Sequence, residues 1–104
     1  MLSLKGKVAF VTGAGSIGAG WGNGKAAAVL LARQGAQVFG TDLNAESVEA
    51  TRAIIAKEGG DCTSHVCNMT DSDSVKAAVD ACIKKYGRID ILINNVGGSA
   101  PGDP

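Results

Sequence analysis

Glycine is concentrated in one short stretch of this 104-residue chain, and that stretch constrains the fold more than any other feature. Six of the 15 glycines lie between Gly13 and Gly24, directly after the apolar run Val8–Val11. An apolar run that leads into a glycine-rich turn is typical of a buried strand, and the Ala- and Leu-rich residues 25–34 are typical of a helix that Gly35 ends. The stretch therefore predicts a strand, a wide glycine loop and a helix, in that order.

Apolar runs alternate with helical segments along the rest of the chain. Strands are predicted at residues 37–41, 62–67 and 89–93, one helix from an Asn44 cap to Glu58, and another from a capping box at residues 70–73 to Tyr86. The βαβαβαβ pattern predicts parallel strands joined by right-handed crossovers, with helices on both faces. We therefore predict an α/β, doubly wound parallel sheet of order 3-2-1-4, forming one domain over residues 1–104, with Ile91 and Ile93 on an open edge.

The glycine stretch can be aligned with a phosphate-binding loop in two registers. Residues 13–18 match G-x-G-x-x-G literally, a pattern in which backbone N–H groups approach a diphosphate at a helix N-terminus. That register places three further glycines in the first two helical turns, each at a cost of about 1 kcal/mol relative to Ala. It also places Asp42 29 residues beyond the first glycine, where about 20 are expected. A helix that starts near Asn23 leaves Asp42 18 residues past Gly24, so we favour an enlarged loop around residues 17–21.

Composition and local patterns argue against several other classes of protein. Gly24-Lys25 fits the end of a P-loop, but Ala19 and Ala26 stand where that motif requires Gly and Ser/Thr. Ten basic residues balance ten acidic ones and only four residues are aromatic, so no nucleic-acid partner is predicted. No apolar run approaches the roughly 20 residues that span a bilayer, and no signal peptide is evident, so we expect no membrane partner. Three cysteines without a Cys-x-x-Cys pair fit the reducing cytoplasm and form no metal site.

Two motifs together resemble the short-chain dehydrogenase/reductase family, along essentially the whole chain. Thr12-Gly13 opens the family's Thr-Gly-x-x-x-Gly-x-Gly motif, and Gly22-Asn23-Gly24 is similar to its end, displaced by the enlarged loop. Gly18 and Gly20 are alternatives to Gly22 at the diphosphate. Asn94-Asn95-Val96-Gly97 matches the family's Asn-Asn-Ala-Gly motif with one conservative change. The resemblance implies a partial Rossmann-type fold and an oxidoreductase that transfers hydride between a nicotinamide cofactor and an alcohol or ketone.

The resemblance also implies a set of cofactor-binding residues. They are Gly13, Ser16, Gly18, Gly22, Asn23, Gly24, Asp42, Asn68, Met69, Asn95, Val96 and Gly97. A carboxylate at Asp42 can accept hydrogen bonds from the ribose hydroxyls and would repel a 2′-phosphate, and Leu43 rather than Arg follows it, so NAD is predicted over NADP. The alternative is a solvated turn aspartate that caps the next helix. Asn68-Met69 replaces the family's aspartate and its neighbour beside the adenine, where the Asn68 amide oxygen can accept from the exocyclic amine.

The family's catalytic residues have no counterpart in this chain. Its chemistry needs an upstream serine and a Tyr-x-x-x-Lys pair, and Tyr86 is followed four residues later by Asp90. We therefore expect a truncated chain that supplies the cofactor-binding half, is inactive alone, and belongs to a homo-oligomeric enzyme in its full-length form. A non-catalytic dinucleotide-binding module and a structural α/β domain without a ligand are the alternatives. His65 is expected to be a core or surface histidine rather than a catalytic one, and Trp21 in the enlarged loop either covers the cofactor or anchors the loop on the sheet.

Overall fold

A computed structural model describes residues 3–15 and 23–95 of the chain. The strands are β1 (Val8–Val11), β2 (Gln37–Asp42), β3 (Asp61–Val66) and β4 (Ile91–Ile93), and the helices are α1 (Asn23–Arg33), α2 (Ala45–Lys57) and α3 (Ser72–Tyr86). All neighbouring strands are parallel, and their order is β3-β2-β1-β4. The predicted doubly wound α/β sheet and its strand order are therefore confirmed.

Alternating residues of the central strands build a separate core on each face of the sheet. Ala9 and Val11 of β1 face the helices α1 and α2, in a cluster that also contains Ala28, Val29, Val38, Val48 and Ile55. Val8 and Phe10 face α3, in a cluster with Phe39, Cys67, Ala78 and Cys82. Because both faces are covered, β1 is apolar and buried at every position, as parallel strands commonly are.

Local polar side chains fix where α2 and α3 begin. The Asn44 side chain accepts a hydrogen bond from Ser47 N at 2.9 Å, which confirms the predicted cap of α2. The predicted capping box at residues 70–73 is wrong, because Asp71 caps α3 by accepting from Asp73 N at 3.0 Å. The Thr70 hydroxyl instead donates to Oδ1 of Asn68 at 2.7 Å. Thr70 thus belongs to the turn before the helix.

The strand β4 lies at one edge of the sheet that the described residues form. Its predicted position is confirmed, but Ile91 and Ile93 are partly buried against the cluster on the α1–α2 face. Leu92 points to the opposite face, as the two-residue period of a strand requires, and is 64% exposed. Before the strand, Asp90 Oδ2 accepts from Val8 N at 2.9 Å, which ties the start of β4 to the start of β1.

Candidate functional site

The candidate site lies where the carboxyl ends of β1 and β4 meet. The chain winds from β1 through β2 to β3 on one side of β1, whereas β4 lies on the other side. In doubly wound sheets, this reversal opens a crevice beyond the strand ends, and ligands bind there. The Gly13–Gly15 turn follows β1, and Asn94 and Asn95 follow β4, so both predicted motifs reach this edge.

Gly13, Gly24 and Asn95 bring three segments into close contact. Gly13 has a φ of +60°, and a Cβ there would overlap the Asn95 carbonyl oxygen. A Cβ on Gly24 would overlap the Gly13 carbonyl oxygen and lie 2.7 Å from Asn95 Nδ2. That amide donates in turn to the Gly13 oxygen, at 3.5 Å. Since only glycine allows the start of α1 to approach the end of β1 this closely, Gly24 has the packing role of the fingerprint's last glycine.

The helix α1 is described from Asn23 onward, and the residues that distinguish the two registers of the glycine stretch lie outside the described residues. Asn23 is exposed, and Gly24 is the one glycine in the described part of the helix. Of the predicted site residues, Ser16, Gly18, Gly22, Val96 and Gly97 lie outside the described residues, as does Trp21.

Hydrogen bonds from β2 and α2 fix the path of the glycine turn. Ala14 N donates to the carbonyl oxygen of Thr41 at 2.9 Å, and Thr51 Oγ1 of α2 donates to the Ala14 oxygen at 2.8 Å. Both Thr51 and Ala14 are buried. Thr51 is not among the residues predicted from the sequence. The signal for it is a hydroxyl on the buried face of α2, three residues after Val48 and four before Ile55.

Asp42, the last residue of β2, links the glycine turn to the start of α2. Its Oδ2 accepts from Gly15 N at 2.9 Å and its Oδ1 accepts from Asn44 N at 2.9 Å. The cap of α2 is Asn44, so Asp42 does not cap that helix. A carboxylate has about four lone-pair sites, so each oxygen can accept one more hydrogen bond. A half-buried carboxylate with this capacity can bind a diol.

Gly15 packs closely against the start of α2. A Cβ on Gly15 would overlap the Ser47 side chain and lie 2.9 Å from Val48 N. This contact brings the glycine turn against the first turn of α2, beside the Asp42 carboxylate. The turn is therefore held on one side by α1 and on the other by α2.

Asn68 and Met69 form a tight turn at the carboxyl end of β3. Asn68 Oδ1 accepts from Thr70 N at 3.0 Å and from the Thr70 hydroxyl at 2.7 Å. Asn68 N donates to Oγ of Ser74 at 2.9 Å. Met69 lines an apolar cavity on the α3 face of the sheet, together with Phe10, Thr12, Val75, Val79, Ile89, Leu92 and Asn94. The N–H of Cys67, just before the turn, donates to the carbonyl oxygen of Asp42 at 2.9 Å, so the turn lies beside the carboxyl end of β2.

Other residues with reactive side chains lie away from this edge. Tyr86 Oη is hydrogen-bonded to Thr63 Oγ1 at 2.8 Å and Asp61 Oδ1 at 3.0 Å, at the amino end of β3. Burial raises the pKa of the Tyr86 phenol, so it stays protonated. Burial also raises the pKa of the Cys62 thiol to about 12 and that of Cys82 to about 11, which keeps both unreactive at neutral pH.

His65 packs against the core of the sheet. The His65 ring lies 5.4 Å from the ring of Phe39 and packs with it at the edge of the α3-side core. Across residues 3–15 and 23–95, no group of three His, Cys, Asp or Glu side chains is placed to hold a metal ion. No helix in that part of the chain is long and apolar enough to cross a membrane.

Comparisons with known proteins agree with this geometry. Residues 7–103 match the family model described as short chain dehydrogenase. D-threitol dehydrogenase of Mycolicibacterium smegmatis is 45% identical over 94 residues, which are 90% of this chain and 34% of that protein. The chain spans about a third of the length of the curated relatives that it matches.

Two solved structures share the fold and contain different cofactors. A metagenomic short-chain oxidoreductase in complex with NADP is 37% identical with a TM-score of 0.83, over 99% of this chain and 43% of that one. A 7α-hydroxysteroid dehydrogenase complexed with NADH and 7-oxo glycochenodeoxycholic acid is 36% identical with a TM-score of 0.82, over 88% of this chain and 34% of that one. The neighbours therefore include both types of nicotinamide cofactor.

Proposed function

Since the chain belongs to the short-chain dehydrogenase family, we propose that it supplies the NAD(H)-binding part of an oxidoreductase. This enzyme transfers a hydride between the nicotinamide and an alcohol or ketone. The observation that carries the choice of NAD is the carboxylate of Asp42, hydrogen-bonded to Gly15 N at the carboxyl end of β2. The glycine turn and the carboxylate are thereby held as one unit at the edge of the sheet.

The proposed binding mode divides the dinucleotide among three segments. Backbone N–H groups of the glycine stretch and the start of α1 receive the diphosphate, with Gly13, Ser16, Gly18, Gly22, Asn23 and Gly24 as the proposed contacts. Asp42 accepts from the adenosine ribose hydroxyls, and Asn68 and Met69 border the adenine. Asn95, Val96 and Gly97 line the ribose and nicotinamide side.

Charge favours NAD over NADP at Asp42. A 2′-phosphate would place a second negative charge beside this carboxylate, and neither Gly15 nor Asn44, whose N–H groups contact it, carries a positive charge to compensate. Leu43, the next residue, is 69% exposed and carries no charge. The guanidinium of Arg52 in α2 is paired with Glu49 at 2.6 Å. The unmodified diol of NAD is the better partner.

In this proposal the chain binds the cofactor, but its sequence lacks the Tyr-x-x-x-Lys pattern through which the family transfers protons. The sequence contains no Tyr-x-x-x-Lys, and Tyr86 lies at the opposite end of the sheet. We therefore place the catalytic residues and the substrate pocket outside this chain, in an enzyme that functions as a homo-oligomer. We also place the protein in the cytoplasm, because the cysteines of the described residues are free thiols.

The test is a calorimetric titration with NAD and NADP. The wild-type chain should bind NAD at least about tenfold more tightly than NADP, because charge repulsion acts only on NADP. Asp42→Asn keeps the shape and should weaken NAD binding by about 10- to 100-fold, since it removes charge-assisted hydrogen bonds. Asp80→Asn is the matched control, because this exposed carboxylate on α3 pairs with Lys76 and lies away from the candidate site. An equal loss of NAD affinity in both variants, or no loss of NAD affinity in Asp42→Asn, would contradict the proposal.

A non-catalytic dinucleotide-binding module is the second candidate, favoured by the missing Tyr-x-x-x-Lys. The two candidates bind NAD alike, so binding does not separate them. The two candidates are separated by measuring whether the native protein reduces NAD in the presence of a panel of secondary alcohols. An enzyme reduces NAD with at least one alcohol, whereas a module binds it without reduction.

A further inference from the structure

We propose that Asn68 presents its amide N–H, rather than its amide oxygen, to the purine of the bound dinucleotide. It would thus contact an acceptor nitrogen of the ring and contribute little to recognition of the 6-amino group. This inference rests on the proposed function, because it concerns the adenine end of the same site. It changes the atom that the sequence suggested for this contact.

The orientation of the Asn68 amide follows from its partner. The atom that faces Thr70 N lies 3.0 Å away, and a backbone N–H can only donate, so that atom is the oxygen. The Thr70 hydroxyl, at 2.7 Å, donates to the same oxygen. A carbonyl oxygen has two lone pairs, and both are used. The oxygen therefore has no acceptor site left for an adenine amine.

The nitrogen of the same amide is in the opposite situation. Among residues 3–15 and 23–95, no group accepts a hydrogen bond from Asn68 Nδ2. Asn68 is only half-buried, and the N–H of Cys67 before it donates to the carbonyl oxygen of Asp42 at 2.9 Å, which places the turn beside the carboxyl end of β2. The unused donor is thus located at the edge of the sheet where the dinucleotide is proposed to bind.

The surrounding contacts oppose rotation of the side chain. Turning the amide over would lose the hydrogen bond from Thr70 N and bring two donors, Nδ2 and Thr70 N, together. The backbone of Asn68 is also held, because its N–H donates to Ser74 Oγ at 2.9 Å. Cys67, the preceding residue, is buried and its N–H donates to the carbonyl oxygen of Asp42 at 2.9 Å. The side-chain N–H₂ group of Asn68 is therefore held in a fixed position.

The chemical consequence is a reversed preference at the purine. An amide N–H₂ cannot pair with the adenine 6-amino group, since both are donors, but it can donate to a ring nitrogen. An aspartate at position 68 would keep the turn, because a carboxylate oxygen accepts both Thr70 donors equally well. It would offer an acceptor where Asn68 offers a donor. Asn68→Asp therefore inverts this single property.

The experiment compares NAD with nicotinamide purine dinucleotide, which lacks the 6-amino group. Dissociation constants of both ligands are measured for the wild-type chain and for Asn68→Asp. Loss of the amino group should weaken wild-type binding by less than about twofold and Asn68→Asp binding by about tenfold, the effect of one hydrogen bond to a charged acceptor. The ratio is taken within each protein, so the effect of the added charge on the two equally charged ligands cancels.

Three results separate the failure of this inference from that of the proposed function. If wild-type binding falls about tenfold without the amino group, the oxygen accepts from the amine and the inference is wrong. If Asn68→Asp gives the same ratio as the wild type, position 68 does not contact the purine and the inference is again wrong. If neither dinucleotide binds the wild type, the proposed function fails with it. If Asn68→Asp does not fold, the ratio of the two dissociation constants measured for the wild type decides alone.

Discussion

Replacing Thr51 by Val should destabilise the fold and weaken dinucleotide binding, although the two side chains have nearly the same shape. Thr51 Oγ1 donates at 2.8 Å to the carbonyl oxygen of Ala14, and both residues are at most 1% exposed. The variant leaves that oxygen buried without this donor, which costs about 1–3 kcal/mol. For a domain of this size, each kcal/mol lowers Tm by roughly 4–8 °C.

The matched control for this prediction is Thr51→Ser. It keeps the hydroxyl and removes one methyl group, at a cost of about 0.8 kcal/mol. Urea unfolding should therefore rank the proteins as wild type, then Ser, then Val, with unchanged m-values. NAD affinity should fall in Val and stay near the wild-type value in Ser, because Ala14 belongs to the glycine turn. A Val variant as stable as the Ser variant would refute the view that this hydrogen bond holds the turn.

Two further perturbations test the contacts that assemble the site. Gly24→Ala should destabilise the protein by about 1–3 kcal/mol in urea unfolding, even though Ala is the better helix former, because its Cβ overlaps the Gly13 carbonyl oxygen; a gain in stability would show that α1 is free to shift. The N–H of Val8 and the Arg88 guanidinium hold the pKa of the Asp90 carboxyl below its ordinary value, so its stabilising contribution is complete above about pH 4 and is lost as pH falls through the lowered folded-state pKa. Asp90→Asn should therefore flatten the acid limb of a stability-against-pH curve, and an unchanged limb would contradict this reason.

The layout of the sheet could be predicted from the sequence because its signals are local and agree with one another. Each strand is a short apolar run, each helix has periodic apolar residues, and crossover handedness then leaves little choice of strand order. The helix α1 after the glycine stretch could be predicted for the same reason, since its residues are rich in Ala and Leu. The strand β3 spans Asp61–Val66 rather than the predicted 62–67, and β4 spans Ile91–Ile93 rather than 89–93, because pairing with β2 and β1 sets the ends of these strands.

The polar contacts of the candidate site could not be predicted from the sequence alone. Thr51 is 37 residues from Ala14, and only the packing of α2 on the sheet brings the two together. Thr70 fits a capping pattern as well as Asp71 does, and the choice depends on Asn68, which draws the Thr70 hydroxyl back into the turn. The same contact determines which atom of Asn68 is available to a ligand. The tertiary structure determines which of these competing hydrogen-bond partners is used.

A crystal structure of the chain with NAD is the most direct test of the central claim. We predict both Asp42 carboxylate oxygens within about 3 Å of the adenosine ribose hydroxyls, with the Gly15 N contact preserved and the diphosphate against the backbone between Gly13 and Gly24. A dinucleotide bound at another edge of the sheet, or one whose ribose turns away from Asp42, would contradict it.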